Sequence, residues 1–264
     1  GTDLAHIVGK SIVAAKKHRA MGNVDLKLGF IMVIGTIAGV EVGAQGIERL
    51  KHIGQANVVQ VVGITFVIVL ISISAFVAWE SWQTIKMQRN REREAELSGI
   101  SVRKLGAKED ESAFDHISRK VQSVRLPPMI KLRVSGVERV SLWAILGVAF
   151  VGGVFSGFLG GGAGYIRMPS MVYLLGVPTH VAVGTDLFEV VISASYGTLT
   201  HAIKGNVDIM IALVMHTGAA IGAQIGAAST EYFRGPKIRL AFVPLPLIGA
   251  AIVIYGLLSG KHLK

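Results

Sequence analysis

The amino-acid sequence predicts an all-α, polytopic membrane protein made of two homologous helical repeats, the second of which contains a glycine-broken, re-entrant helix. Composition is the first observation behind this fold class, since 51% of the 264 residues are hydrophobic and 32 are glycine. A series of apolar runs is the second, because each is near the roughly 20 residues that cross a bilayer as a helix. An internal duplication is the third. We therefore divide the chain into 1–79, the C-terminal part of a first transmembrane repeat, 80–140, a charged cytoplasmic linker, and 141–264, a second transmembrane repeat.

The duplication relates residues 1–44 to residues 184–227 without a gap, by adding 183 to each number, and about a third of the pairs are identical. The identical pairs include Gly-Thr-Asp-Leu at 1–4 and 184–187, Gly-Asn-Val-Asp at 22–25 and 205–208, and Gly35, Gly39 and Gly43 with Gly218, Gly222 and Gly226. Repeats of this kind recur in secondary transporters. The first repeat lacks counterparts of residues 142–183, so we expect a second glycine-rich break upstream of Gly1 and interpret the chain as a fragment.

The first repeat is predicted to contain three helical segments. Residues 1–15 form a helix with polar residues, which a basic cluster at 16–19 closes. Residues 26–47 form a membrane span whose glycines recur every four positions, on one face, where another helix can approach closely. Residues 57–79 are the most uniformly apolar span, and Trp79 and Trp82 fall where interfacial aromatic residues are expected.

The linker is charged, and we place it in the cytoplasm because basic residues between apolar runs are typical of the inner side of a membrane. Its acids are interleaved with its bases and its aromatic residues are few, which favours a solvated linker over a nucleic-acid-binding segment. The net charge of +10 is therefore interpreted as an orientation signal. Cysteine is absent, so disulfides and thiolate metal sites are excluded, and no metal or cofactor is predicted.

The second repeat is predicted to contain apolar spans at 142–159, 181–199, 207–228 and 238–258. Between the first two lie a glycine cluster at 160–164 and two prolines, Pro169 and Pro178. Glycine permits a positive φ and proline removes a backbone donor, so one uninterrupted helix is excluded there. The segment 165–175 is too short to cross a bilayer and is predicted to be re-entrant. Broken backbone at membrane depth survives only where protein or a wet cavity covers it.

These residues resemble the signature of the sulfite exporter TauE/SafE family. The resemblance is carried by Gly160, Gly161, Gly162 and Gly164 followed by Pro169, then by Leu175, Gly176, Val177 and Pro178, and then by Ala182, Gly184 and Thr185. It implies a membrane transporter of two homologous halves that moves sulfite, an organosulfonate or a related sulfur oxyanion, with proton coupling. As members of the family commonly have a small polar residue after the Gly-Thr pair, Asp3 and Asp186 are a departure.

The predicted substrate site is centred on the glycine cluster. Backbone amides of Gly160, Gly161, Gly162 and Gly164, at the start of a half-helix, would offer donors to an oxyanion. Tight packing alone is the alternative for these glycines. Arg167 follows them at membrane depth and could hold a sulfonate by paired hydrogen bonds, unless it reaches out to the interface instead. Thr185 is assigned to the same site.

The predicted proton-coupling residues are Asp186, Asp3 and Glu189. Asp186 and Glu189 share one helical face with Ser193, and the duplication places Asp3 at the position of Asp186. Carboxylates desolvated in a bundle can take and release protons near neutral pH. Because both aspartates lie near expected helix starts, helix capping is the alternative. Asp25 and Asp208, beside the Gly-Asn turns, are interpreted as helix caps.

The leading functional hypothesis is therefore a secondary anion transporter, not an enzyme, in a bacterial or archaeal plasma membrane. Its partners are a small anion, protons and the lipid bilayer, without nucleic acid, and the sequence leaves open whether copies form a homo-oligomer. One alternative is an intramembrane aspartyl protease using Asp3 and Asp186 as a dyad. The other is a membrane scaffold that transports nothing and uses the glycine faces for packing.

Overall fold

The computed structural model describes residues 2–51, 55–98, 115–124, 126–159, 164–203 and 207–259. Nearly all of this part is helical, as the composition predicts. The α-helices are α1 (Thr2–Ala20), α2 (Leu26–Lys51), α3 (Gln55–Ser98), α4 (Asp115–Ser123), α5 (Leu142–Leu159), α6 (Gly164–Ser170), α7 (Thr179–Ile203), α8 (Ile209–Ser229), α9 (Gly235–Phe242) and α10 (Pro244–Leu258). A π-helical segment, Met171–Leu175, continues α6, and a 3₁₀ turn, Thr230–Tyr232, follows α8. Two strands, β1 (Met129–Leu132) and β2 (Val137–Ser141), pair antiparallel before α5.

Among the described residues, five segments are long and apolar enough to cross a membrane, and they confirm the polytopic fold class. They are Leu26–Ile47, Gln60–Ser98, Leu142–Leu159, Ile209–Tyr232 and Gly235–Leu258. The expected span at 181–199 is not among them, because α7 carries ionisable residues within its apolar sequence. α7 packs instead against α1 and α2, inside the bundle.

The glycine face of α2 packs against α5, which confirms the close helix approach predicted from the spacing. A Cβ at Gly35 would lie 2.8 Å from the backbone oxygen of Leu146, and one at Gly39 would overlap the backbone oxygen of Phe150. α5 contributes its own glycines to the contact, since a Cβ at Gly153 would overlap the backbone oxygen of Thr36. Small residues on both helices therefore let the two backbones meet.

Helix boundaries in the two proposed repeats also fall 183 positions apart. α1 and α7 end at Ala20 and Ile203, and α2 and α8 begin at Leu26 and Ile209. The two predicted caps are confirmed: the Asp25 carboxylate accepts a hydrogen bond from the Leu28 amide at 3.1 Å, and Asp208 accepts one from the Ile211 amide at 2.9 Å. These boundaries agree with the duplication, which stays an inference from the sequence.

Within its described residues, the linker contains the C-terminal part of α3, the helix α4 and a β-hairpin. α3 runs without a break across residue 80 as a single helix of 44 residues. Part of the later linker is the β-hairpin, whose Leu132, Val137 and Val140 are buried in the same hydrophobic core as α5 and the π segment. The burial of these hairpin residues could not be predicted from the average polarity of the segment, because they stand among charged residues.

α4 of the linker packs on the end of the broken helix. The Gln122 side-chain amide donates a hydrogen bond to the backbone oxygen of Leu175 at 2.9 Å, where the π segment leaves carbonyl groups without helical partners. Gly176, with φ of 73°, then turns the chain toward α7. A Cβ at Gly176 would lie 2.8 Å from the Gln122 amide nitrogen, so α4 approaches the turn closely.

Candidate functional site

The broken helix consists of α6 and the π segment, and it carries the arginine predicted from the sequence. Pro169 lies inside α6, and the geometry changes to π two residues later, as expected where proline removes a hydrogen-bond donor. The described helical stretch runs from Gly164 to Leu175, in agreement with the short segment predicted. Arg167 points inward and is 1% exposed. Arg167 is thus buried within the protein and does not extend to its surface.

Arg167 is held by the two carboxylates of α7 that the sequence places on one face. Its Nε donates a hydrogen bond to Asp186 Oδ1 at 2.8 Å, and its Nη1 lies 2.7 Å from Glu189 Oε2. Glu189 is fully buried and Asp186 is nearly so. Asp186 stands seven residues inside α7, which begins at Thr179, so the capping alternative for Asp186 is wrong. One cation and two carboxylates thus form a compact buried cluster, which we call the Arg167 cluster.

Two further helices shape the Arg167 cluster. Side-chain hydroxyls of Thr36 on α2 and Ser193 on α7 lie beside the Glu189 carboxylate. Gly152 of α5 leaves space for the aliphatic part of the Arg167 side chain, because a Cβ at residue 152 would overlap Arg167 Cγ. At the start of α6, a Cβ at Gly164 would lie 3.0 Å from Asp186 Oδ2. The cluster is therefore enclosed by α2, α5, α6 and α7 together.

The charges of the Arg167 cluster define what it can bind. With all three groups ionised, one positive and two negative charges leave a net charge of −1, which repels an anion. Arg167 can exchange Asp186 for another anion only if negative charge is removed, and protonation of a carboxylate is the direct way to remove it. Charged groups buried at membrane depth are costly and are usually kept for function.

Within the described residues, the structure does not bring the other predicted site residues into the Arg167 cluster. Gly160, Gly161 and Gly162 lie outside the described residues, as does the side chain of Asp3, so their roles stay predictions. Thr185 is fully buried, and its hydroxyl accepts a hydrogen bond from the Asp25 amide at 3.0 Å. This hydrogen bond connects α7 to Asp25, the residue that caps the start of α2. A substrate role for Thr185 also stays a prediction.

Sequence reasoning missed a second buried ion pair, between Glu80 of α3 and Arg239 of α9. Arg239 Nε lies 3.2 Å from Glu80 Oε2, and Arg239 Nη1 donates to Thr179 Oγ1 at 2.6 Å. The Tyr173 hydroxyl of the π segment donates to Glu80 Oε2 at 2.6 Å. The sequence feature that could have indicated this ion pair was an isolated charged residue in each of two apolar segments. Glu80 was instead assigned to the solvated linker and Arg239 to a span.

The profile of the family described as sulfite exporter TauE/SafE matches residues 1–253 of the chain. Among curated proteins, the probable membrane transporter protein YunE of Bacillus subtilis is 33% identical over 115 residues, which cover 43% of this chain and 42% of the relative. A probable membrane transporter protein of Xylella fastidiosa (strain Temecula1) is 35% identical over 117 residues, covering 44% of this chain and 45% of the relative.

The chain thus matches less than half the length of these two relatives, while the family profile extends over nearly all of it. No solved structure matches the chain. The glycine and proline pattern, the apolar helices and the buried Arg167 cluster all lie within the part that the profile covers. On this evidence the chain belongs to the sulfite exporter TauE/SafE family of integral, multi-pass membrane proteins.

Proposed function

We propose that the protein is a proton-coupled secondary transporter of small anions, in which Arg167 binds the anion and Asp186 and Glu189 carry the proton. The observation behind this proposal is the double ion pair of a fully buried arginine on a broken helix. Broken helices at membrane depth are where transporters bind substrates and coupling ions. The names of the relatives, probable membrane transporter proteins, agree with the class of activity.

The proposed substrates are sulfur oxyanions such as sulfite or an organosulfonate. A guanidinium group presents several N–H donors in one plane and can bind two oxygens of such an anion at once. Asp186 occupies Nε and Glu189 occupies Nη1. Release of Asp186 frees Nε, which shares one edge of the guanidinium group with Nη2, so that edge can bind two oxygens of an anion. The family description, which names sulfite, supports the same class.

The charge of the Arg167 cluster suggests the coupling ratio. A monovalent anion that enters with one proton leaves the net charge at −1, because the proton cancels one carboxylate and the anion replaces it. A change of net charge inside the bundle would cost much more, since charges are poorly solvated there. We therefore expect one proton for each monovalent anion.

The protease alternative has less support from this geometry. An aspartyl dyad needs two carboxyl groups that share one proton, which requires them to face each other. Asp186 faces Arg167 instead, with 2.8 Å between its Oδ1 and the arginine Nε. The scaffold alternative explains the packed glycines of α2, but it gives no reason for burying three charged groups.

The test is uptake of labelled sulfite, sulfoacetate and thiosulfate by the full chain in proteoliposomes, with and without an imposed pH gradient. We expect a gradient-driven flux that Asp186→Asn reduces by at least about tenfold, the loss typical of a proton-transfer group. Asp208→Asn is the matched control, because asparagine caps a helix as well as aspartate does. A flux that is changed neither by the pH gradient nor by either substitution would contradict proton coupling. Absence of flux for all three anions would contradict the proposed substrate class.

A further inference from the structure

The protein binds the Glu80 carboxylate as a binding site would hold a free anion. Arg239 Nη2 donates a hydrogen bond to Glu80 Oε1 at 3.3 Å, and Arg239 Nε lies 3.2 Å from Glu80 Oε2. The Tyr173 hydroxyl donates to Oε2 at 2.6 Å, and the Thr84 hydroxyl donates to Oε1 at 2.8 Å. Each oxygen of the carboxylate thus faces one nitrogen and one hydroxyl group. One edge of a guanidinium group with added hydroxyl donors is a typical arrangement for binding an oxyanion.

Glu80 does not satisfy all of these donors. Arg239 Nε is buried and has no hydrogen-bond partner in the part of the chain that the structure describes, although a Glu80 oxygen is 3.2 Å away. A buried donor without a hydrogen bond costs free energy, so such groups are usually paired. A carboxylate has two oxygens, whereas sulfite or a sulfonate has three. The third oxygen can accept from Nε, so these donors fit a sulfur oxyanion better than they fit Glu80.

These donors lie at the end of the broken helix that is nearer to the charged part of α3. α3 is apolar before Glu80 and charged after it. The neighbouring Trp79 and Trp82 are 49% and 68% exposed, as expected for aromatic residues at a membrane–water interface. Tyr173 follows Arg167 by six positions in the broken helix, about 9 Å along its axis. An anion that leaves Arg167 along this helix toward the charged part of α3 therefore reaches the Tyr173 hydroxyl next.

We propose that Arg239, Tyr173 and Thr84 form a second oxyanion-binding site, which receives the transported sulfur oxyanion and which Glu80 fills when no anion is bound. The site follows from the contacts of Glu80, whereas the identity of its ligand rests on the proposed function. The ionised pair of Glu80 and Arg239 is neutral, so it repels an anion less than the Arg167 cluster does. A monovalent anion keeps the site neutral if the Glu80 carboxylate takes up a proton when the anion replaces it, which avoids a buried net charge.

The first experiment measures anion binding without transport. The full chain with Glu80→Ala is purified in detergent, and its thermal midpoint is measured at increasing methanesulfonate concentration, with chloride at equal ionic strength as the control. Methanesulfonate should bind in place of the missing carboxylate. At about ten times the half-saturating concentration, the midpoint should rise at least about 3 °C more than in the chain with both Glu80→Ala and Arg239→Gln, which keeps the Arg167 cluster. No saturable rise, the same rise with chloride, or an equal rise in the double variant would overturn the site.

The second experiment tests displacement of Glu80 by the transported anion, with a variant that keeps the charge. Glu80→Asp has a shorter side chain, which reaches Arg239 less well and so competes less with the anion. We expect the KM of labelled methanesulfonate flux in proteoliposomes to fall at least about fivefold, an effect that a purely structural ion pair would not give. Glu92→Asp in the exposed pair with Arg234 is the matched control and should leave KM unchanged.

The two experiments separate the second site from the proposed function. An unchanged or higher KM in Glu80→Asp would overturn displacement of Glu80 by the transported anion. A wild-type chain without flux, together with the saturable rise of the midpoint in Glu80→Ala, would contradict the proposed transport and leave the oxyanion site standing. Normal flux without that rise would do the reverse.

Discussion

Glu80 and Arg239 are 159 positions apart in the chain and form an ion pair in which both residues are 0% exposed. The pair joins α3 to α9, and Tyr173 and Thr179 add the π segment and α7 through hydrogen bonds. The Arg239 guanidinium also lies 5.7 Å from the centre of the Tyr173 ring. Two charges thus join four elements, α3, α7, α9 and the π segment of the broken helix, to one another.

Removal of one charge of this pair should destabilise the protein strongly. Glu80→Gln leaves Arg239 buried without its counter-ion, and such changes cost about 3–5 kcal/mol of unfolding free energy. Thermal unfolding in detergent, followed by tryptophan fluorescence, measures the loss. The double variant Glu80→Gln with Arg239→Gln should recover part of it, because the uncompensated charge is then absent.

The exposed ion pair between Arg234 and Glu92 is the matched control. Arg234 Nη1 and Glu92 Oε1 are 2.7 Å apart, closer than the 3.2 Å of the buried pair, but the two side chains are 56% and 43% exposed. Arg234→Gln should therefore change stability by less than about 1 kcal/mol. Equal effects of Glu80→Gln and Arg234→Gln would mean that burial of the Glu80 pair is not what stabilises the four elements.

Substitution of alanine for glycine should distinguish the two glycine faces. Gly39→Ala forces a Cβ into the backbone of α5 and should cost about 1–3 kcal/mol. A Cβ at Gly222 would meet no atom of the described residues within 4 Å, so the higher helix propensity of alanine in Gly222→Ala should leave stability unchanged or raise it by up to about 1 kcal/mol. Thermal midpoints of the two variants in the same detergent test this. A similar loss in both would contradict the open face of α8.

A third prediction concerns Gly152, which leaves space for the aliphatic part of the Arg167 side chain. Gly152→Val should displace Arg167 and weaken its ion pairs, with a loss of about 1–3 kcal/mol and of any anion flux. A Cβ at Gly147 on the same helix would have no neighbour within 4 Å in the part of the chain that the structure describes, so Gly147→Val should be tolerated. Flux and the thermal midpoint are measured for both variants. Normal flux in a stable Gly152→Val protein would show that the geometry of Arg167 is not needed for transport.

The two helix caps should differ in energy. The Asp25 carboxylate accepts from the Leu28 amide and also from the amide and hydroxyl of Ser135, at 3.3 and 2.8 Å, whereas Asp208 is exposed. Asp208→Ala should cost about 1 kcal/mol and Asp25→Ala about 2–3 kcal/mol, since it also leaves buried donors unpaired. Hydrogen exchange of the hairpin amides should rise only in Asp25→Ala. Unchanged exchange there would show that Asp25 does not hold the hairpin.

Several features could be predicted from the sequence because they depend on local spacing. Periodic small residues predicted the packing of α2, and a three-residue interval placed Asp186 and Glu189 on one face. Turn chemistry predicted the caps at Asp25 and Asp208, where glycine and asparagine precede an aspartate. These patterns need no knowledge of which helix is the neighbour.

Contacts between distant parts of the chain were not predictable in the same way. Nothing in the spacing pairs Glu80 with Arg239, or turns Arg167 inward toward α7 instead of outward. The sequence predicts a solvated linker where the hairpin lies, because the buried residues of the hairpin, such as Val140, stand among charged ones. Composition reports average polarity, whereas burial depends on which side of a strand a residue occupies.

The 44 residues of α3 make a rod about 66 Å long, roughly twice the thickness of the hydrocarbon core of a bilayer. Two ion pairs join this rod to α9 and to the residue before it, from Glu80 to Arg239 and from Glu92 to Arg234, about 18 Å apart along the rod axis. A helix of this length that spans a bilayer is longer than the hydrocarbon core, so part of α3 lies outside the membrane.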